Sequence, residues 1–190
     1  MKEVFISAKK VNLIGFVLIL PITLSMIIPF WAKWGSHTRV SLKMIKALLS
    51  IFDNKLLDTL IIFFAPTVLI FIGIVIHELI HGFFMAIFSK NGIKSVKIGM
   101  IKKSFALYAH CNEPLLAKNM LIVSLAPFVF LGLIPTVYAF ISGSLIACFI
   151  GFSMTIGAVG DFIYAYLILR TGLGKMILDH DSEVGFKIIY

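Results

Sequence analysis

Charge is what this sequence most lacks. Asp, Glu, Lys and Arg make up only 14% of its 190 residues, whereas 60% are hydrophobic. A soluble globular domain carries about 25% charged residues, so the composition excludes one and indicates an integral membrane protein. Acidic residues are scarcest, nine against 17 Lys and Arg. The net charge of +8 does not describe a nucleic-acid surface, because the Lys residues stand beside apolar runs and not in a basic patch interleaved with aromatics. Topology and anionic lipid account for it. Cysteine is nearly absent: Cys111 falls in a polar stretch and Cys148 in an apolar one, which excludes a disulfide framework and a paired-cysteine zinc site. There is no internal repeat and no low-complexity segment. At about 20 residues per crossing, the length leaves room for a single polytopic membrane domain over residues 1–190 and no second domain.

What the sequence does hold is long apolar runs. Four reach spanning length: Val11 to Trp34, Pro66 to Phe88, Asn119 to Ile141 and Ser144 to Leu169. The first follows Lys2, Lys9 and Lys10 in the order of a signal peptide, but it exceeds an h-region of about 7 to 15 residues and no small-x-small site follows. It is expected to be a retained helix. Between the first two runs, Leu42, Ile45, Leu48, Leu49 and Phe52 recur at helical spacing while Lys43, Lys46 and Asp53 interrupt them. An interfacial amphipathic helix is expected over Ser41 to Phe64. After the second run, Val96, Ile98 and Met100 alternate, Lys102-Lys103-Ser104 break the pattern, and Phe105, Leu107 and Ala109 alternate again, which predicts a β-hairpin. Asn91 and Gly92 are the expected stop of the preceding helix.

The expected architecture is therefore an all-α membrane protein of four transmembrane helices, with an interfacial helix and a small β-hairpin. Four spans put the amino-terminal segment, the Ser89 to Lys118 loop and the tail on one side, where they hold 12 of the 17 Lys and Arg residues. The positive-inside rule makes that side, with the amino terminus, cytoplasmic. The other five, between Lys33 and Lys55, fit lipid headgroups.

Inside the second run lies His77-Glu78-Leu79-Ile80-His81. Three ionisable side chains cost several kcal/mol at bilayer depth, so a membrane helix keeps them only where they pair, bind a metal or line a wet cavity. On a helix His77 and His81 share a face, with Cβ atoms about 5 to 6 Å apart, and both rings can reach one Zn2+ ion. Glu78 adjoins the first ligand and can act as general base on a water held there. The plainer alternative is a buried hydrogen-bonded polar cluster.

Two histidines leave a zinc site incomplete. Asp161 is the sole acidic residue in the third or fourth run. At about 1.5 Å per residue it lies roughly 13 Å before Arg170, and His81 lies roughly 13 Å before Lys90, so the two are level if both ends reach the same face. Gly151, Ser153, Gly157 and Gly160 in that run permit close helix approach, or simply packing. Asp161 can equally be a polar contact between helices or a proton-relay group. His110, Cys111 and Glu113, before Pro114, are the rival ligand set. Asp179-His180-Asp181 in the tail also contains donors and reads as a solvated turn.

Together these motifs resemble a family of small bacterial membrane proteins described as putative zincin peptidases, related in motif to the site-2 proteases. The resemblance rests on His77-Glu78-Leu79-Ile80-His81-Gly82, His110-Cys111-Asn112-Glu113-Pro114-Leu115, Leu125-Ala126-Pro127, Gly160-Asp161, Asp179-His180 and Val184-Gly185-Phe186. It covers roughly Leu69 to Phe186. It implies that His77 and His81 are zinc ligands, Glu78 the catalytic base and Asp161 the third ligand. Site-2 proteases usually place their ligand Asp in an Asn-Pro-Asp-Gly or Leu-Asp-Gly context, whereas here it is Gly160-Asp161-Phe162.

The function expected is that of a zinc metalloprotease cutting a membrane protein or peptide within or next to a span. Two other classes compete with it. One is a non-catalytic metal-binding accessory protein. The other is a small ion transporter, for which four helices give little room and repeated halves are missing.

Overall fold

The computed structural model describes residues 2–49, 54–101, 106–180 and 183–189. Strand β1 (Lys2–Ile6) leads into helix α1 (Ala8–Leu49), which carries the first apolar run. Asn54 then starts α2 (Lys55–Phe88): its side chain accepts from the amides of Leu56 and Leu57 at 3.0 and 3.4 Å. This is an N-cap that satisfies donors the first turn leaves open. The amphipathic helix expected over 41–64 does not form as one element, because α1 runs on to Leu49 and α2 opens at Lys55. Lys43 and Lys46 stand exposed on α1 and so do not end it; Asp53 lies outside the described residues. Midway along the same helix, Lys33 Nζ and Trp34 Nε1 donate to the Phe140 carbonyl at 2.9 and 3.1 Å. Lys33, one of the five cations assigned to lipid headgroups, instead serves a helix C-terminus.

Only one stripe of α2 is buried: His77, His81, Gly82 and Met85, which lie on one face at helical spacing. Leu79, Phe83 and Ile87 are exposed. The helix ends at Phe88, with Ser89 extended as its cap and Gly92 at φ +61° three residues further on. Asn91 and Gly92 therefore lie beyond the cap, in a short 3-10 turn over Gly92–Ser95 and the residue before it. Antiparallel strands β2 (Val96–Ile101) and β3 (Ala106–Cys111) follow, paired from Val96↔Cys111 to Ile101↔Ala106. The expected polar break, Lys102-Lys103-Ser104, and Phe105 lie outside the described residues.

The third apolar run is not a uniform helix. After the two-residue strand β4 (Leu115–Leu116), α3 (Ala117–Pro127) passes into a π-helical stretch over Phe128–Leu133 and then α4 (Ile134–Ser142), ended by Gly143 in the left-handed conformation at φ +74°. The fourth run is also divided, into α5 (Leu145–Gly157) and α6 (Val159–Thr171), bent by 48°. Among the described residues three helical stretches are long and apolar enough to cross a membrane, or four if the bent pair is one span. The protein is mostly helical, in a form compatible with a membrane protein.

An all-helical reading misses one feature. Strands β5 (Met176–Asp179) and β6 (Val184–Ile189) join β1 and β4 in an antiparallel sheet of order β1-β6-β5-β4. That sheet ties the amino-terminal segment, the loop after α2 and the tail together at one end of the helices. Beneath it Cys111, Met120, Ile168, Ile177 and Phe186 form a core that reaches Met85 and Val123. The site lies at the edge of this core.

Candidate metal centre

His77 and His81 project from the buried stripe of α2 with their rings 4.8 Å apart. Their Nε2 atoms are separated by 3.2 Å. Asp161 reaches both from α6: Oδ2 lies 3.0 Å from His77 Nε2, and Oδ1 lies 3.3 Å from His81 Nε2. The break at Ala158 makes this placement favourable. It puts Asp161 in the first turn of α6, where the helix dipole favours a carboxylate. The small residues singled out in this run have a different task, since Gly151 packs α5 onto Thr136 and Gly132 and a Cβ at Gly157 would meet nothing within 4 Å.

Donor chemistry and spacing fit a zinc ion. Ligand atoms at about 2.0 to 2.1 Å on the corners of a tetrahedron are about 3.3 to 3.4 Å apart, close to the 3.0, 3.2 and 3.3 Å found here. His81 Nδ1 is 2.9 Å from the Val123 carbonyl oxygen, to which it donates. That bond leaves the Nε2 lone pair facing the other two groups, as a metal-binding imidazole requires. Asp161 Oδ2 is buried and accepts no hydrogen bond, although His77 Nε2 stands beside it. Two imidazoles and a carboxylate converging within 3.0 to 3.3 Å form a donor set that could hold a cation. Among the described residues, His77, His81 and Asp161 are the group of donors close enough to hold one ion.

Glu78 stands outside this trio. Its Oε2 accepts the Ala109 amide hydrogen at 2.8 Å, so the outer edge of β3 is turned toward it. A cavity of about 300 Å3 opens over the group, bordered by Glu78, His81, Asp161, Tyr108, His110 and Tyr164. It has ionisable groups in its wall.

The rival ligands lie elsewhere. His110 Nδ1 is 3.3 Å from Asp179 Oδ2, and Tyr164 donates to Asp179 Oδ1 at 3.2 Å, so His110 joins the tail across the cavity from the trio. Cys111 is fully buried in the core under the sheet, where burial pushes its thiol up. Glu113 fastens the end of α2: its Oε2 accepts from the amides of Lys90 and Asn91 at 2.9 and 3.4 Å, and Asn91 Nδ2 donates to Oε1. The adjacent Ser95 hydroxyl, with the Asn91 and Lys90 donors, holds this carboxyl below the usual carboxylate range. In the tail, the His180 ring packs on Phe5 with centroids 5.2 Å apart, and its Nδ1 accepts the Glu183 amide hydrogen at 3.0 Å. Asp181 lies outside the described residues. Side-chain chemistry along the sequence gave no sign of Ala109 or Val123, which act through backbone groups, or of the Tyr164 contact to Asp179.

The family described as putative zincin peptidase matches residues 70–174, more than half of the chain and the whole of the trio. The protein belongs to that family. Membership in the zincin peptidase family implies zinc and suggests a metallopeptidase, and the matched region contains the donors that could hold the ion. No curated protein and no solved structure matches the chain.

Proposed function

We propose that this zincin peptidase family member is a zinc-dependent metalloprotease that hydrolyses peptide bonds of membrane-associated proteins or peptides within or beside the bilayer. The observation that carries the reading is the convergence of His77, His81 and Asp161, with His81, Asp161 and Glu78 bordering one cavity. Zinc, when bound, supplies Lewis-acid polarisation of the scissile carbonyl and lowers the pKa of its water toward about 7. Glu78 takes a proton from the attacking water as the new C–O bond forms, and returns it to the nitrogen as the C–N bond breaks. The Ala109 amide holds Glu78 in place for both transfers.

A helical substrate has its carbonyls hydrogen-bonded, so it must unwind to be cut. Strand addition would hold it extended. Of the two hairpin strands, β3 lines the cavity, through Leu107, Tyr108, Ala109 and His110. The docking edge is accordingly assigned to β3. The sheet gathers three segments that together hold 12 of the 17 Lys and Arg residues, which supports a cytoplasmic amino terminus and tail in the cell membrane.

The test is purified protein in proteoliposomes with a panel of membrane-anchored peptides. Cleavage should stop on removal of the metal by a chelator and return on adding Zn2+. Cleavage unaffected by chelation, or none of any substrate by zinc-loaded protein, would contradict the reading.

A further inference from the structure

The Val123 carbonyl accepts from a side chain because its helix has no amide to offer it. In an α-helix the carbonyl of residue 123 would receive the N–H of residue 127. Residue 127 is Pro, the last residue of α3, and proline has no N–H. The next amide does not substitute, since Phe128 donates to the Leu125 carbonyl. Beyond it the backbone enters the π-helical stretch over Phe128–Leu133. Val123 is 1% exposed and Pro127 is fully buried, so water does not reach this carbonyl either. A backbone acceptor left open at bilayer depth costs several kcal/mol. The donor that fills the vacancy is His81 Nδ1, at 2.9 Å from a neighbouring helix.

We propose that Pro127 is a positioning residue for the metal centre: by removing the helix's own donor it reserves the Val123 carbonyl for His81. The reserved bond fixes two properties of the His81 ring. It keeps the proton on Nδ1, and it sets the ring plane so that Nε2 faces His77 Nε2 at 3.2 Å and Asp161 Oδ1 at 3.3 Å. A histidine ligand whose other nitrogen is anchored in this way keeps the correct tautomer before any ion arrives. The inference rests on the zinc reading for its consequence, but the tautomer itself is a property of the zinc-free protein.

Pro127→Ala restores a backbone N–H at the place where Val123 would ordinarily receive it, and the new donor competes with His81. Two measurements on the full chain in detergent test the result: 15N NMR of histidine-labelled protein without metal, and Zn2+ affinity by competition with a chelator. The expected outcome is loss of the uniform Nδ1–H form at His81 and zinc binding weakened about 10- to 100-fold, the usual cost of losing an outer partner of a metal ligand. The zinc-free variant should melt no lower than wild type, because alanine suits a helix better than proline. Pro29→Ala, a helix proline of α1 away from the site, should leave both readouts unchanged. Unaltered tautomer and affinity in Pro127→Ala would overturn the proposal, as would a loss of affinity matched by a fall in melting temperature. Wild-type protein that binds no Zn2+ would sink the peptidase reading instead, and the NMR comparison would still decide the role of Pro127.

Discussion

Glu78→Gln is expected to lower peptide cleavage by roughly 100- to 10,000-fold, the range that a positioned general base contributes, while zinc content stays at that of wild type. Gln has nearly the volume of Glu and keeps an oxygen that can accept the Ala109 amide hydrogen, now received by Glu78 Oε2 at 2.8 Å. Local packing is therefore retained. What disappears is the ability to take a proton from water and pass it to the leaving amine. Zinc should stay because the trio proposed to bind it is His77, His81 and Asp161 and does not include Glu78. A non-catalytic metal-binding protein predicts no change in any readout. An ion transporter predicts uptake into proteoliposomes that continues whatever happens to peptide cleavage. Metal content and turnover, measured on the same preparation, separate the three.

Asp161→Ala is expected to remove zinc as thoroughly as His77→Ala does, with affinity falling beyond the roughly 10- to 100-fold that loss of an outer-shell partner costs. The substitution takes away the oxygens 3.0 and 3.3 Å from the two imidazoles, and two histidines alone do not close a zinc site. His110→Ala and Cys111→Ala provide the contrast. His110 is tied to Asp179 and Cys111 lies in the core, so both variants should purify with zinc. Full occupancy in Asp161→Ala, determined by elemental analysis after dialysis against a weak chelator, would refute the trio.

The parts of this site that could be read from the sequence are those in which side-chain type and spacing carry the information. His77 and His81 sit four apart in an apolar run, and Asp161 stands alone among apolar residues at a matching depth; distance along two helices was enough to place them level. The alternation from Val96 to Ala109 likewise follows from the pleat of a strand, whose side chains change face at every residue. The four-stranded sheet had no such signature. Its members are two to six residues long and come from both ends of the chain and the loop between, so their pairing is set by tertiary contact and not by a local pattern. β1 in particular lies in the segment that, with Lys2, Lys9 and Lys10 ahead of an apolar run, has the charge order of a signal-peptide start. The divisions of the third and fourth runs were also hidden: the bend at Ala158 has no proline to mark it. Pro127 stands at the other, but its effect falls on a backbone carbonyl four residues away and not on a side-chain pattern. Lys43 and Lys46 misled in the opposite direction, because charges on an exposed face do not end a helix.

Zinc K-edge X-ray absorption on the purified, zinc-loaded protein tests the central claim most directly. The predicted first shell contains two imidazole nitrogens and carboxylate or water oxygen at about 2.0 to 2.2 Å, with no sulfur. A sulfur scatterer at about 2.3 Å, which would bring Cys111 or Cys148 to the metal, or a shell lacking paired imidazole scattering, would contradict it.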